Sequence, residues 1–356
     1  DEKMMTVTQI RDGVISPDGK NLAFTALDRL YISDYPNGTP KRLTSMEITE
    51  AQPSWSPDGS ELAFVTYSEK SGGAIYKLNA NGKGKPVKLT TEQGFFSEPA
   101  WSNDGKRIVY IKGSAQAYRE GPGPGAFGAE ETINWIPSTG GKGNYIAKAD
   151  LGANPHFVKG EDDRIYLYSG GNGLLSIRWD GTDKKSLIKV KGITTFGSYA
   201  DIVEEEMALN QHLHEREPQQ MPSNAEVIIK APVGDRALAQ INNEIYVVTI
   251  PMVGGETPTI SVADVASSQF PSWKLTEIGG QFPTWSADGS KVYWSIGNAF
   301  FCYDLTDSKA KADALAQLKE QQKESGAKED KAKTAELTYT PVEARIKMEV
   351  PRDIPA

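Results

Sequence analysis

Three histidines and one cysteine leave little material for nucleophilic or general-base chemistry. The sharpest local signal is His212-Leu213-His214, because two imidazoles at i, i+2 on one strand face can ligate zinc. Its third and fourth ligands would have to come from elsewhere. The pair also sits in a polar stretch, after Asn210-Gln211 and before Glu215-Arg216-Glu217-Pro218, so a metal site there is disfavoured. His156 stands just before a strand aromatic and reads as structural. Cys302, in Phe300-Phe301-Cys302-Tyr303, reads as a buried thiol acting as a small hydrophobe. There is no Gly-x-Ser-x-Gly elbow, no His-Glu-x-x-His and no P-loop. Gly121-Pro122-Gly123-Pro124-Gly125 is a loop rather than a phosphate cradle, since proline blocks the tight entry into a helix. No catalytic residue is assigned, and no cofactor is expected in this chain.

The elements that would position any site are given by a repeat. Pro53-Ser54-Trp55-Ser56-Pro57-Asp58-Gly59 recurs as Pro99-Ala100-Trp101-Ser102-Asn103-Asp104-Gly105 and as Pro283-Thr284-Trp285-Ser286-Ala287-Asp288-Gly289. A shortened copy, Ile15-Ser16-Pro17-Asp18-Gly19, opens the chain. Asp-Gly makes a hairpin turn, with Asp bonding its own backbone and Gly supplying φ > 0. A β-branched or aromatic run follows each turn, such as Leu62-Ala63-Phe64-Val65 or Ile108-Val109-Tyr110-Ile111. A third strand carries tyrosine, as in Leu30-Tyr31-Ile32-Ser33, Ile75-Tyr76-Lys77-Leu78 and Asn144-Tyr145-Ile146-Ala147. A fourth ends in Leu-Thr, at 40–44, 86–90 and 273–276. Degenerate copies begin at Pro155-His156-Phe157-Val158 and near Ala231-Pro232. Four strands per unit, with turn glycines at 19, 59, 105, 160, 234 and 289, predict an all-β propeller of six four-stranded blades. A seventh blade within 193–230 is the alternative.

In such a ring the first strand of each blade lines a central channel. The residue before each motif proline then lies near one mouth: Gln52, Glu98 and Asn154. These three are the candidate binding residues, for a small ligand, a peptide end or an ion. The plainer reading, a water-filled channel wall, weighs more, because a wet channel tolerates polar groups anyway.

Composition sets outer bounds. Among 356 residues, 39 Lys+Arg stand against 47 Asp+Glu for a net charge of −8, and no basic stripe is present, so nucleic acid and anionic membrane surfaces are poor partners. No apolar run approaches the ~18 residues of a membrane span. Three stretches interrupt the repeat: 119–143, a Gly/Pro-rich loop; 199–223, polar and acidic, with Glu204-Glu205-Glu206 as a solvated face; and 307–336, rich in Ala, Lys, Glu and Gln, which reads as an exposed helix or as disorder. The propeller is expected to occupy 1–356. Its last blade takes its fourth strand from the alternating segment Glu343 to Val350, and Met4 to Thr8 adds beside it. Residues 351–356 read as the start of a linker.

The Trp-Ser-x-Asp-Gly unit with its Tyr-containing third strand and Leu-Thr fourth strand resembles the TolB-like propeller repeat over most of 12–305. A strand from Ala344 to Val350 followed by Pro351-Arg352-Asp353-Ile354-Pro355 resembles the exit of a propeller into the metal-dependent amidohydrolase domain of certain exported bacterial hydrolases. That resemblance implies a non-catalytic front half that gates or docks substrate or a partner, with the divalent metal confined to a downstream domain. It also implies a periplasmic or secreted protein, in keeping with a first residue, Asp1, that is not Met. A stand-alone ligand- or protein-binding module, and the propeller lid of a prolyl-oligopeptidase-like serine peptidase, are the alternatives. The His-x-His of the amidohydrolase barrel is not carried over to His212 and His214, which lack its preceding strand.

Overall fold

Six antiparallel sheets follow one another along the chain and close into a ring. The structure, a computed structural model, describes residues 4–114, 130–194 and 221–351. Blade one comprises Arg11–Ile15, Asn21–Ala26, Arg29–Asp34 and Lys41–Arg42, hydrogen-bonded in that order. Blade two (Thr49–Trp55, Glu61–Ser68, Gly72–Asn79, Val87–Lys88) repeats it. Blade six (Gln281–Trp285, Lys291–Ile296, Ala299–Asp304, Val342–Arg345) does so as well. The count is six, and the seven-bladed alternative is set aside.

The motif builds the same device in each regular blade. Ser56 Oγ donates to Asp58 Oδ1 at 2.7 Å, Asp58 Oδ1 accepts the Ser60 N–H at 3.0 Å, and Ser56 Oγ accepts the Glu61 N–H at 2.9 Å. Asp18, Asp104 and Asp288 repeat this turn. These donors stabilise the ionised form, holding Asp58 and Asp288 down at about 2. The motif tryptophan ties blades two, three and six each to the one before it. Trp55 Nε1 donates to Val14 O at 3.1 Å, Trp101 Nε1 to Ser54 O at 3.0 Å, and Trp285 Nε1 to Ile229 O at 2.9 Å. The faces that pack between blades are aromatic and aliphatic, and rings on adjacent strands of one blade stack there, as in Phe64–Tyr76 and Tyr293–Phe300.

The middle blades depart from the expected strand assignment. In blade three, Thr132–Pro137 is the third strand and Asn144–Lys148 the fourth. The expected 119–143 insertion therefore contains a core strand, whose Ile133 and Ile136 are fully buried. Of that stretch, 119–129 lies outside the described residues. In blade four the first strand shrinks to one bridge, His156 to Tyr166, beside Arg164–Ser169 and Gly173–Arg178. Its last strand, Lys185–Thr194, leaves the blade to pair antiparallel with Met221–Asn224 and parallel with Thr259–Ser261. The end of the expected 199–223 insertion is thus a side strand, while 199–220, including Glu204 to Glu206, lies outside the described residues. Blade five is Val227–Lys230, Arg236–Ile241, Glu244–Thr249 and Ser272–Lys274.

The 307–336 stretch is helical. Helix α1 (Leu305–Ser325) starts on Asp304, whose side chain accepts from the Thr306 and Asp307 N–H groups, and ends on Gly326 at φ 63. Helix α2 (Lys331–Glu336) follows. Its Ala, Lys, Glu and Gln residues favour helix and bury almost nothing: only Leu305 of α1 is buried. No helix among the described residues is long and apolar enough to cross a membrane.

The segment Glu343 to Val350 is divided. Val342–Arg345 completes blade six, whereas Glu349–Pro351 pairs antiparallel with Met4–Thr6 in a separate ribbon. The break comes where Ile346 buries into the seam between blades six and one, with Val7, Ile10, Phe24 and Phe300. Asn298 Nδ2 donates to both Val7 O and Ile346 O across it. Residues 352–356 of the expected linker lie outside the described residues.

Candidate functional site: the central channel

Each regular first strand carries a two-residue bulge that turns a side chain to the channel. In blade two, Ala51 pairs with Val65 and Ser54 with Ala63, so Gln52 and Pro53 oppose Phe64 alone. Glu98 and Pro99 oppose Tyr110, Phe282 and Pro283 oppose Trp294, and Asp12 and Gly13 oppose Phe24. The first bulge residue takes a left-handed backbone in every case: φ is 51 at Asp12, 52 at Gln52, 56 at Glu98 and 55 at Phe282. Asn154, before Pro155 in blade four, shares it at 47. Left-handed backbone is uncommon for Gln, Glu and Phe, so the ring geometry imposes it. Proline in the second place loses nothing, because the extra residue of a bulge has no ladder partner for an N–H.

Gln52, Glu98 and Asn154 thus stand together on the wall of one cavity of about 470 Å³. Sequence reasoning missed Asp12, Glu226, Gln240, Asn243 and Phe282, which line the same cavity. Asp12 has the same place in its blade, but Gly13 replaces the proline that marks the others. Phe282 does precede a motif proline, but it is apolar. Asn243 arrives from another element, the Asn242-Asn243 hairpin of blade five, both residues being left-handed as a two-residue turn requires.

These residues brace neighbouring blades in sequence. The Asp12 carboxylate accepts the Gln52 N–H. Gln52 Oε1 accepts the Glu98 N–H at 2.7 Å, and Glu98 Oε1 accepts the Asn154 N–H at 2.8 Å, with Glu98 Oε2 on the Gly152 N–H at 3.0 Å. His156 continues the series: its Nε2 accepts the Lys230 N–H at 2.8 Å and its Nδ1 lies 2.7 Å from Asn154 O. The ring is therefore neutral with the proton on Nδ1, and burial lowers its pKa to about 4. The structural reading of His156 holds. Gln240 Nε2 then donates to Gly280 O at 2.7 Å, reaching blade six.

Burial lifts the Asp12 carboxyl to about 6 against the pull of the Gln52 N–H and Arg11. Burial also raises Glu98, and Glu131 adds to that, against its three hydrogen-bond donors. Among the described residues no three His, Cys, Asp or Glu side chains are grouped to hold a metal ion. His212 and His214 lie outside the described residues. Cys302 is buried, and desolvation raises its thiol pKa, as a structural cysteine requires.

Residues 12–121 match the family described as TolB beta propeller domain. No curated protein sequence matches the chain. Among solved structures it is similar to an oligogalacturonate lyase in complex with manganese, at 11% identity and TM-score 0.51 over 86% of this chain and 77% of that one. It is also similar to TolB from Acinetobacter baumannii, at 13% identity and TM-score 0.49 over 85% of this chain and 61% of that one. An oligogalacturonate lyase from Vibrio parahaemolyticus follows, at 11% identity and TM-score 0.46 over 83% of this chain and 88% of that one. At these identities the likenesses concern the fold. The repeat and the six closed sheets show a six-bladed β-propeller, of which residues 12–121 match the TolB propeller domain.

Proposed function

We propose that this propeller is a non-catalytic binding domain that receives a substrate segment or a partner at its channel mouth, in front of an amidohydrolase-like catalytic domain. The observation that carries the binding role is the channel itself: about 470 Å³, within the ~300–1,000 Å³ of small-ligand sites, and walled by polar side chains fixed through their own bracing bonds. The resemblance of 344–355 to a propeller exit supports the hydrolase context. In that context a divalent metal belongs to the later domain, and the protein works in the periplasm or outside the cell. The intact mass of the protein isolated from its source tests this. A mass well above the 38.8 kDa of this chain, with a downstream His-x-His on a barrel strand, is the expected result. A mass equal to this chain overturns the hydrolase context in favour of a stand-alone binding module, and a downstream Gly-x-Ser-x-Gly favours a peptidase lid.

A further inference from the structure

Blade six ends in an edge strand unlike those of blades one and two, whose fourth strands are two residues long and carry Lys41, Arg42 and Lys88. Val342–Arg345 is longer and carries both signs of charge, with the Arg345 guanidinium 2.6 Å from the Glu343 carboxylate along the strand. Its pairing with Ala299–Asp304 decides which backbone groups are used. The Ile346 N–H donates to Asn298 O, and in the same register Phe300 faces Ala344 and Cys302 faces Val342. The even positions therefore turn their N–H and C=O groups inward, and those of Glu343 and Arg345 point outward. Among the described residues nothing pairs with these outward groups. Val342, apolar and 58% exposed, begins the same edge.

An open edge accepts another strand unless length, proline or like charge prevents it. Two copies of a basic edge such as Lys41–Arg42 would repel. The edge of blade six is complementary to itself. Laid antiparallel on a second copy with Ala344 at the twofold axis, Glu343 faces Arg345 of that copy and Arg345 faces its Glu343. Both facing pairs are of the hydrogen-bonded kind, because 343 and 345 are the positions whose backbone points outward. That register satisfies the outward groups of both residues in both copies and sets every charge opposite its counter-charge. A slip of one residue faces outward groups with inward ones. A slip of two sets Glu343 against Glu343 or Arg345 against Arg345, so the register is specified as well as permitted. We propose that the chain self-associates through this edge as a twofold dimer, the strand of one copy extending blade six of the other. The surface is separate from the channel and does not depend on what the channel binds.

Sedimentation velocity of the whole chain over a wide range of concentration tests this. A monomer–dimer equilibrium that weakens as salt is raised is the expected result. Glu343→Arg and Arg345→Glu each set like charges opposite one another across the axis, and each should weaken dimerisation at least about tenfold. The double variant Glu343→Arg/Arg345→Glu restores both pairs with their signs exchanged, so it should recover the dimer of the parent. An equimolar mixture of the two single variants should also dimerise, because each supplies the charge that the other lacks. Thermal melts establish that the variants are folded, and all four positions of charge lie on exposed side chains, 59% for Arg345 and 42% for Glu343. A chain that stays monomeric at every concentration overturns the proposal. So does a dimer that the single reversals leave unchanged, or a double variant that associates no better than they do.

Discussion

Gln52 Oε1 accepts the Glu98 N–H at 2.7 Å although the two residues belong to different blades, 46 positions apart. Each is the first residue of its own bulge, so one blade's distortion is held by the side chain that the previous blade's distortion presents. Gln52→Leu removes the acceptor and leaves the Glu98 N–H unsatisfied on a part-buried wall. The expected cost is about 1–3 kcal/mol, read as a lower denaturation midpoint, with Gln52→Glu recovering most of it. Equal stability of Gln52→Leu and the parent would show that channel water replaces the bond.

The tryptophan clamps are a second set of inter-blade ties. Trp285→Phe keeps most of the ring but loses the donor to Ile229 O. A loss of about 1–2 kcal/mol is expected in denaturant titration, and a similar one for Trp101→Phe, which loses the bond to Ser54 O. If only the ring matters, both phenylalanine variants will match the parent.

Asp12 gives a pH signature. Its carboxyl is lifted to about 6 in the folded chain from an ordinary 3.8, so between those values the folded state holds more protons than the unfolded one. Stability contributed by this group therefore falls as pH rises through that window. Asp12→Asn keeps an acceptor and tolerates the left-handed backbone, but removes the titration. The variant should gain stability relative to the parent between pH 4 and pH 6. A difference that does not change with pH would place the Asp12 carboxyl at its ordinary value.

Gly13 occupies the place that proline holds in the other bulges. A Cβ there would lie 2.9 Å from Phe300 Cε2, across the seam between blades one and six. Gly13→Ala should cost about 1–3 kcal/mol as Phe300 is displaced, measurable by thermal melting. Adding Phe300→Leu should recover part of the loss by making room, and strictly additive losses would show that the crowding lies elsewhere.

Legibility followed the motif. Where Pro-x-Trp-Ser-x-Asp-Gly is intact, the first hairpin of the blade and the channel residues Gln52 and Glu98 follow from the sequence, because a turn and a proline each restrict the backbone locally. Asp12 and Glu226 were not legible. One lies beside a glycine and the other in a blade with no motif, and only ring closure brings them to the wall. The third strand of blade three, Thr132–Pro137, was hidden because a long Gly/Pro-rich connection separates it from its partner Arg107–Gly113. A tyrosine at 145 then drew the third-strand assignment onto what is an edge strand, where Tyr145 is 62% exposed. The helical character of 305–325 could be read from propensity, while its position against blade six depends on the Asp304 N–H donating to the Tyr339 hydroxyl at 2.7 Å, a contact 35 residues apart.

The ribbon between Met4–Thr6 and Glu349–Pro351 gives the ring an uneven distribution of entropy. Within blades one and two the strands are hairpin partners near in sequence, and each blade's neighbour comes next along the chain, so five of the six blade-to-blade faces join consecutive segments. The sixth must join ends as remote as Met5 and Val350, and confining a loop of that length costs roughly 5 kcal/mol of chain entropy. That whole cost falls on one seam held by Asn298, Ile346 and the short ribbon. The ring is in this sense a clasp with a single fastening, and amide hydrogen exchange should find the Val7 and Ile346 N–H groups opening ahead of those in the middle strands of blades two and three.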